Sequence, residues 1–283
     1  MAKQIRTISD TALWVAVYRA DESDRENAHF KDPYARMLAG ERGEDIVQAM
    51  EAGRLNSWSF VARTYLFDKF ILQQIEQGAD MVINLASGLD TRAFRLPLPS
   101  KLIWVDIDLH EIIEYMSASM VNEKPQCEYE RTALDLSQRE ERVKLFHTLA
   151  LRGKKILVIS EGLLGYLTEE EVGTLAFDLS RNKTFKYWAN DIMSPSILPL
   201  IQNEMGSLLE DAGTPLKFAP KQGENFFLIF GWKVIISESK LQTAAKLNRL
   251  PNDLLAYTQE PIGPIRNFPW SGVCLFENNT FNI

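Results

Sequence analysis

The sequence is short of the residues that build disulfide or metal-held scaffolds. It has only two cysteines, Cys127 and Cys274, and they lie far apart. A disulfide framework or a zinc site needs more, so a reducing, cytoplasmic setting without a bound metal is expected. Histidine is nearly as scarce. His29, His110 and His147 fall at helical or linker positions and are expected at the surface. No Ser-His or Cys-His constellation offers itself for nucleophilic catalysis. Long apolar runs are missing too. The longest, such as Phe226 to Phe230, cannot span a bilayer, and the opening MAKQIRTISD holds no apolar signal core, so no membrane partner is expected. Positive charge is in deficit, with a net charge of -7. Nucleic acid is therefore not an expected partner, because binding phosphates needs a basic face. A local basic pocket for an acidic small molecule stays possible.

What is present is the material of an ordinary globular chain, 46% hydrophobic and 24% charged over 283 residues. That length suits one domain with an insertion, or two small ones. Residues 1–80 read as a helical region. Ser9-Asp10 can cap a helix through Arg19, Asp32-Pro33 marks a turn before a helix over Tyr34 to Ala39, and Ser57 to Gln77 carries a helical apolar face that Gly78 stops.

From residue 81 the chain alternates. Strands are expected at Met81–Leu85, Leu102–Ile107, Tyr129–Leu134, Lys155–Ser160 and Phe185–Ile192, with helices between them. Thr168 and Glu171 stand at capping-box spacing. Such alternation predicts an α/β fold, a parallel sheet with helices on both faces. Prolines 195, 199, 215 and 220 then punctuate residues 195–225, read as an inserted cap with one helix over Ile197 to Ala212. The sheet resumes at Gly231–Ile236 and Val273–Phe276. Residues 81–283 thus form the core unit.

The stretch Met81 to Leu96, MVINLASGLDTRAFRL, organises this pattern. A buried strand breaks into Ala86-Ser87-Gly88 and restarts as a helix from Leu89. In an α/β sheet that is where a nucleotide-like ligand binds. The dinucleotide spacing G-x-G-x-x-G is absent, since Ala86 stands where the first glycine would fall. Polar residues collect at the following strand ends: Ser87, Gly88 and Asp90, then Asp106 and Asp108, then Asp135-Leu136, then Glu161-Gly162. An acidic residue about 20 positions past the glycine turn is the expected acceptor for ribose hydroxyls. Asp106 and Asp108 both satisfy that spacing. The gathered carboxylates disfavour a pyrophosphate and favour a ligand with a ribose, an adenine and a cationic centre.

These residues resemble a known family. Asn84-Leu85-Ala86-Ser87-Gly88-Leu89-Asp90-Thr91-Arg92 is similar to the N-L-G-x-G-[LF]-D-[TS]-R signature of the leucine carboxyl methyltransferases. Val105-Asp106-Ile107-Asp108 resembles that family's x-E-[VI]-D, and Asp135-Leu136 its D-L pair. Ser160 to Leu167 resembles its [ST]-E-G-[LV]-x-x-Y-[LM]. Upstream, Val61-Ala62-Arg63-Thr64 is similar to the family's arginine helix, and Asp32-Pro33-Tyr34-Ala35 to its D-P-[YF]-A. The likeness covers most of residues 9–192 and is nearest to the polyketide carboxyl O-methyltransferases of tetracenomycin type.

The resemblance implies a Rossmann-like class I methyltransferase with a seven-stranded, mostly parallel sheet, an N-terminal helical extension and an inserted cap. It implies S-adenosylmethionine as cofactor, released as S-adenosylhomocysteine. Arg63 would pair with the methionine carboxylate. Ala86, Ser87, Gly88 and Asp90 would pack against the methionine and ribose, and Asp106 or Asp108, flanking Ile107, would hold the ribose hydroxyls. Asp135 and Leu136 would bracket the adenine, and Glu161 would lie near the amino group. The one departure from the signature is Ala86, in place of glycine.

The acceptor expected is a small acidic molecule, methylated on its carboxylate without a general base. Trp14, Tyr18, Arg19 and Tyr166 are candidates to line its pocket, and the aromatic run Glu224 to Trp232 could face it in part. Arg19 is a candidate counterion or else a solvated arginine. Other readings are methylation of a phenol, a hydroxyl or a protein C-terminal carboxylate, a nicotinamide-dependent oxidoreductase, or a catalytically silent cofactor-binding module.

Overall fold

The computed structural model describes residues 8–49, 56–203, 215–259 and 268–280. Three helices come first: α1 (Ile8–Ser23), α2 (Ala35–Ala49) and α3 (Ser57–Glu76). The helix expected to end at Ala39 runs on to Ala49 through a kink at Gly40, whose φ of 57° a glycine tolerates. Then come β1 (Met81–Leu85), the single turn α4 (Arg92–Arg95), β2 (Ile103–Asp108), α5 (His110–Ser119), β3 (Glu128–Ala133), α6 (Arg139–Ala150) and β4 (Ile156–Ser160). They are followed by α7 (Glu169–Ser180), β5 (Phe185–Met193), β6 (Trp232–Ser239), α8 (Lys240–Lys246) and β7 (Ser271–Asn278).

The seven strands form one sheet in the order β3-β2-β1-β4-β5-β7-β6. All neighbours from β3 to β5 are parallel, and β7 runs antiparallel to both β5 and β6. The central strands β1 and β4 are buried at every residue, as continuous apolar runs predict for strands covered on both faces. One face packs under α1, α2 and α3, with Phe67, Phe70 and Trp104 in its core. The other packs under α6 and α7 around Phe146, Trp188 and Trp232. The Thr168–Glu171 capping box is formed at the start of α7.

The aromatic run does not line the large cavity beyond the strand ends. Gly223–Phe230 forms 3-10 turns, and Phe227 packs edge-on against Trp188 with ring centres 5.3 Å apart. Phe226 and Phe227 are buried in the core, and only from Trp232 does the chain enter a strand. Of the expected cap helix, residues 198–203 are helical, and 204–214 lie outside the described residues. No helix among the described residues is long and apolar enough to cross a membrane.

Candidate active site

The strand order reverses at β1, between β2 and β4, and a crevice opens beyond the strand ends there. It widens into a cavity of about 1220 Å³ that also reaches α1, α3, α8 and the residues after β5. Ligand pockets typically hold roughly 300–1,000 Å³. This one has room for two ligands side by side.

The turn after β1 is held in an unusual backbone form. Ala86 and Gly88 both lie in the left-handed region, at φ 51° and 55°. For alanine that conformation costs roughly 1–2 kcal/mol, so the signature's departure from glycine carries a local strain. The turn is tied down by its neighbours: the Gly88 amide donates to Asp108 Oδ2 at 2.6 Å, and the Ser87 amide to the Ile107 carbonyl at 3.2 Å.

Asp108 is therefore at the cavity wall, and Asp106 is not. The Asp106 carboxylate accepts from Trp104 Nε1 at 2.8 Å, Tyr129 Oη at 2.5 Å and Asn84 Nδ2 at 3.1 Å. It is fully enclosed, and burial together with nearby Asp90 raises it to about 7 against the pull of those three donors. Ile107 is also buried in the core and does not reach the cavity. Asp108 likewise sits above its usual range through burial, opposed by the Gly88 and Leu109 amides. Asp135 lines the cavity as an exposed carboxylate, fixed by the Ser137 amide at 2.9 Å, with Leu136 beside it.

Behind the turn runs a ladder of charges. Arg92 is buried and meets three carboxylates: Asp68 at 2.6 Å, Asp90 at 2.5 Å and Glu161 at 2.7 Å. Glu161 also receives Arg63 Nε at 2.9 Å. Burial disfavours its charge, but Arg92 and Arg63 outweigh that and hold Glu161 down to about 2. Glu161 is thus no solvated strand end. Arg63 continues to Asp191 at 3.5 Å, and Asp191 lies 3.9 Å from Lys240. At the other end Arg95 grips Asp68 through both guanidinium nitrogens at 2.7 Å and approaches Asp32 at 3.9 Å. Arg19 closes the chain on Asp32 at 2.8 Å. Five cations alternate with four carboxylates, and Asp90 branches from Arg92 as the fifth, so the formal charges of the ladder cancel.

The ladder changes several expectations. The crevice carboxylates do not crowd as bare charges: Asp90 and Glu161 are compensated by Arg92, while Asp108 and Asp135 line the crevice without an ion pair among the described residues. Arg19 is buried and also donates to the Leu89 carbonyl at 2.6 Å, so it braces α1 against the turn and is not solvated. Tyr18 is enclosed beside Trp14 and Phe60 and does not line the cavity. Tyr166 and Trp14 do line it, and burial raises the Tyr166 phenol. The three histidines are exposed, as expected, and His29 Nε2 lies 2.7 Å from the Leu247 carbonyl.

Three site residues were outside the sequence reading. Asp191 sits within β5 and also accepts from the Gly162 amide at 2.7 Å. Gly162, at φ 69°, lets the Arg63 guanidinium lie over its backbone, where a Cβ would come within 3.1 Å. Lys240 follows β6, and Arg92 sat inside the quoted signature without an assigned role. The signal for Asp191 and Lys240 was their place at strand ends on the Glu161 side of the sheet.

The profile of the leucine carboxyl methyltransferase family matches residues 12–179, more than half of the chain. The chain belongs to that family. Of the signature residues, Arg63, Asn84, Ala86 to Asp90, Arg92, Asp108, Asp135, Leu136 and Glu161 to Leu163 line this one crevice. Among curated relatives, a Mycobacterium marinum protein assigned by name to the S-adenosyl-L-methionine-dependent methyltransferases is 30% identical over 183 residues, 58% of this chain and 56% of its own length. A Mycobacteroides abscessus protein of the same name is 30% identical over 177 residues, 58% of each chain. The chain thus spans little more than half the length of these relatives. A solved structure from Thermobifida fusca, described as a methyltransferase by name, superposes with a TM-score of 0.60 at 15% identity, covering 98% of this chain and 97% of its own. A protein from Streptomyces avermitilis superposes at 0.55 and 13% identity, with 92% and 95% covered. These two share the fold with this leucine carboxyl methyltransferase family member.

Proposed function

We propose that the protein binds S-adenosylmethionine in the crevice beyond β1, β2 and β4 and methylates the carboxylate of a small apolar acid. The observation that carries the reading is the joining of this crevice, in one cavity, to a largely apolar compartment that Lys240 borders.

The side chains suit the cofactor. Arg63 uses Nε and Nη1 on Glu161 and Asp191, while its Nη2 has no hydrogen-bond partner among the described residues and is free for the methionine carboxylate. Asp108, Ser87 and Gly88 line the crevice and would take the ribose, and Asp135 and Leu136 line it and would take the adenine. When bound, S-adenosylmethionine supplies a methyl group on a positively charged sulfur. A carboxylate acceptor is already ionised at neutral pH, so the protein has no proton to move. Its task is to align the oxygen and strip it of water. No histidine lines the cavity among the described residues, which favours this acceptor over a phenol needing a base.

The test is methyl transfer to paired acceptors with one body, dodecanoate against dodecanol and naphthoate against naphthol. Turnover of the acids supports the reading. Turnover confined to the hydroxyl members overturns it.

A further inference from the structure

Lys240 ends the charge ladder, held to it only by Asp191 at 3.9 Å, and its setting is unusual. It is the first residue of α8 and is buried, at 8% exposure. A cation in the first turn of a helix is electrostatically disfavoured, so local helix chemistry does not account for it. Its nearest carboxylate, Asp191, is 3.9 Å away and is already engaged by Arg63 and the Gly162 amide. No hydrogen bond from the Lys240 ammonium occurs among the described residues. A buried ammonium with so loose a counterion is costly unless another anion completes it. Burial and Arg63 lower Lys240 to about 8, against Asp191 and Glu161, so the cation persists at neutral pH.

Its surroundings indicate which anion. Lys240 lines the large cavity on the β5–β6 side, across the Arg63–Asp191 pair from the cofactor crevice. There the walls are Met193, Ile197, Leu216, Leu241, Leu254 and Phe268. An ammonium at one point of an apolar chamber fits a molecule with one anionic group and a water-excluding body.

We infer that Lys240 is the docking cation for the acceptor carboxylate, and that the acceptor is an apolar monocarboxylic acid whose body fills the chamber lined by Met193, Ile197, Leu216 and Leu241. This rests on the methyl-transfer reading above and adds the residue that selects the acid. A carboxylate held on Lys240 stands beside the Arg63–Glu161 pair, within the same cavity as the cofactor crevice.

Calorimetry with S-adenosylhomocysteine present tests this, using dodecanoate and naphthoate with dodecanol and naphthamide as their uncharged counterparts. The wild type binds each acid at least about tenfold tighter than its counterpart. In Lys240→Met that preference disappears while affinity for S-adenosylhomocysteine is unchanged, and Lys240→Arg keeps most of it. A folded Lys240→Met that still prefers the acids overturns the inference, as does a wild type that binds neither acid. Failure of the methyl-transfer reading looks different: the acids bind through Lys240 but the hydroxyl partners alone are methylated. If Lys240→Met does not fold, Lys240→Gln carries the same comparison.

Discussion

Arg92 and Glu161 meet at 2.7 Å across the centre of the sheet, one just past the turn after β1 and the other at the end of β4. Both are nearly enclosed, and Arg92 also holds Asp68 and Asp90. This pair makes the crevice a fixed object: the turn after β1 is bolted to the strand on its other side.

The same pair predicts a pH dependence. Glu161 ionises at about 2 in the folded protein, below the ordinary glutamate value. Its contribution to stability is complete above roughly pH 4.5 and is lost as pH falls toward about 2, by about 3 kcal/mol in all. Urea midpoints should therefore drop between about pH 5 and pH 3, and Glu161→Gln should flatten that drop. The variant should also be less stable at neutral pH by about 3–5 kcal/mol, because it leaves two buried guanidinium groups short of a partner.

Ala86 makes a prediction of the opposite sign. Its left-handed backbone costs roughly 1–2 kcal/mol, while glycine adds about 0.5–1 kcal/mol of unfolded-state entropy. Ala86→Gly should stabilise the protein by about 0.5–1 kcal/mol, read as a higher urea midpoint with an unchanged slope. A destabilised Ala86→Gly would mean that the methyl group is packed more usefully than it is strained.

The ribose assignment separates two aspartates two residues apart. Asp108→Asn should weaken S-adenosylmethionine binding about tenfold or more in calorimetry, since it weakens both a ligand contact and the anchor of Gly88. Asp106→Asn should leave that affinity near wild type while lowering stability, because Asp106 serves Trp104, Tyr129 and Asn84 in the core.

Arg63→Lys keeps the charge and loses the planar fork. We expect S-adenosylmethionine affinity to fall by roughly 10- to 100-fold, with cooperative unfolding retained. Unchanged affinity in that variant would remove Arg63 from the cofactor site.

Much of this was legible in the sequence, for physical reasons. The strands announced themselves because central parallel strands must be apolar along their whole length, as Met81–Leu85 and Ile156–Ser160 are. The crevice followed from their order, and the glycine turn from its small residues. The helix expected from Leu89 shrank to one turn, Arg92–Arg95, because Pro97 stands just beyond it and disfavours helix before it. Asp106 and Asp108 could not be separated by counting, since both lie on one face of β2 and only Asp108, its last residue, reaches the turn. Arg19, Asp191 and Lys240 were hidden for another reason. Their pairings, Arg19 with Asp32, Asp191 with Arg63 and Lys240 with Asp191, join separate elements, and no local periodicity encodes them.

The central claim is that the acceptor atom is a carboxylate oxygen, and the chemistry of the product tests it. The protein is incubated with methyl-labelled S-adenosylmethionine and an apolar acid, and the labelled product is treated with mild alkali. The account predicts an ester, so the label should leave as volatile methanol. Label that stays bound through alkali would mark an ether or an N-methyl product and would contradict it.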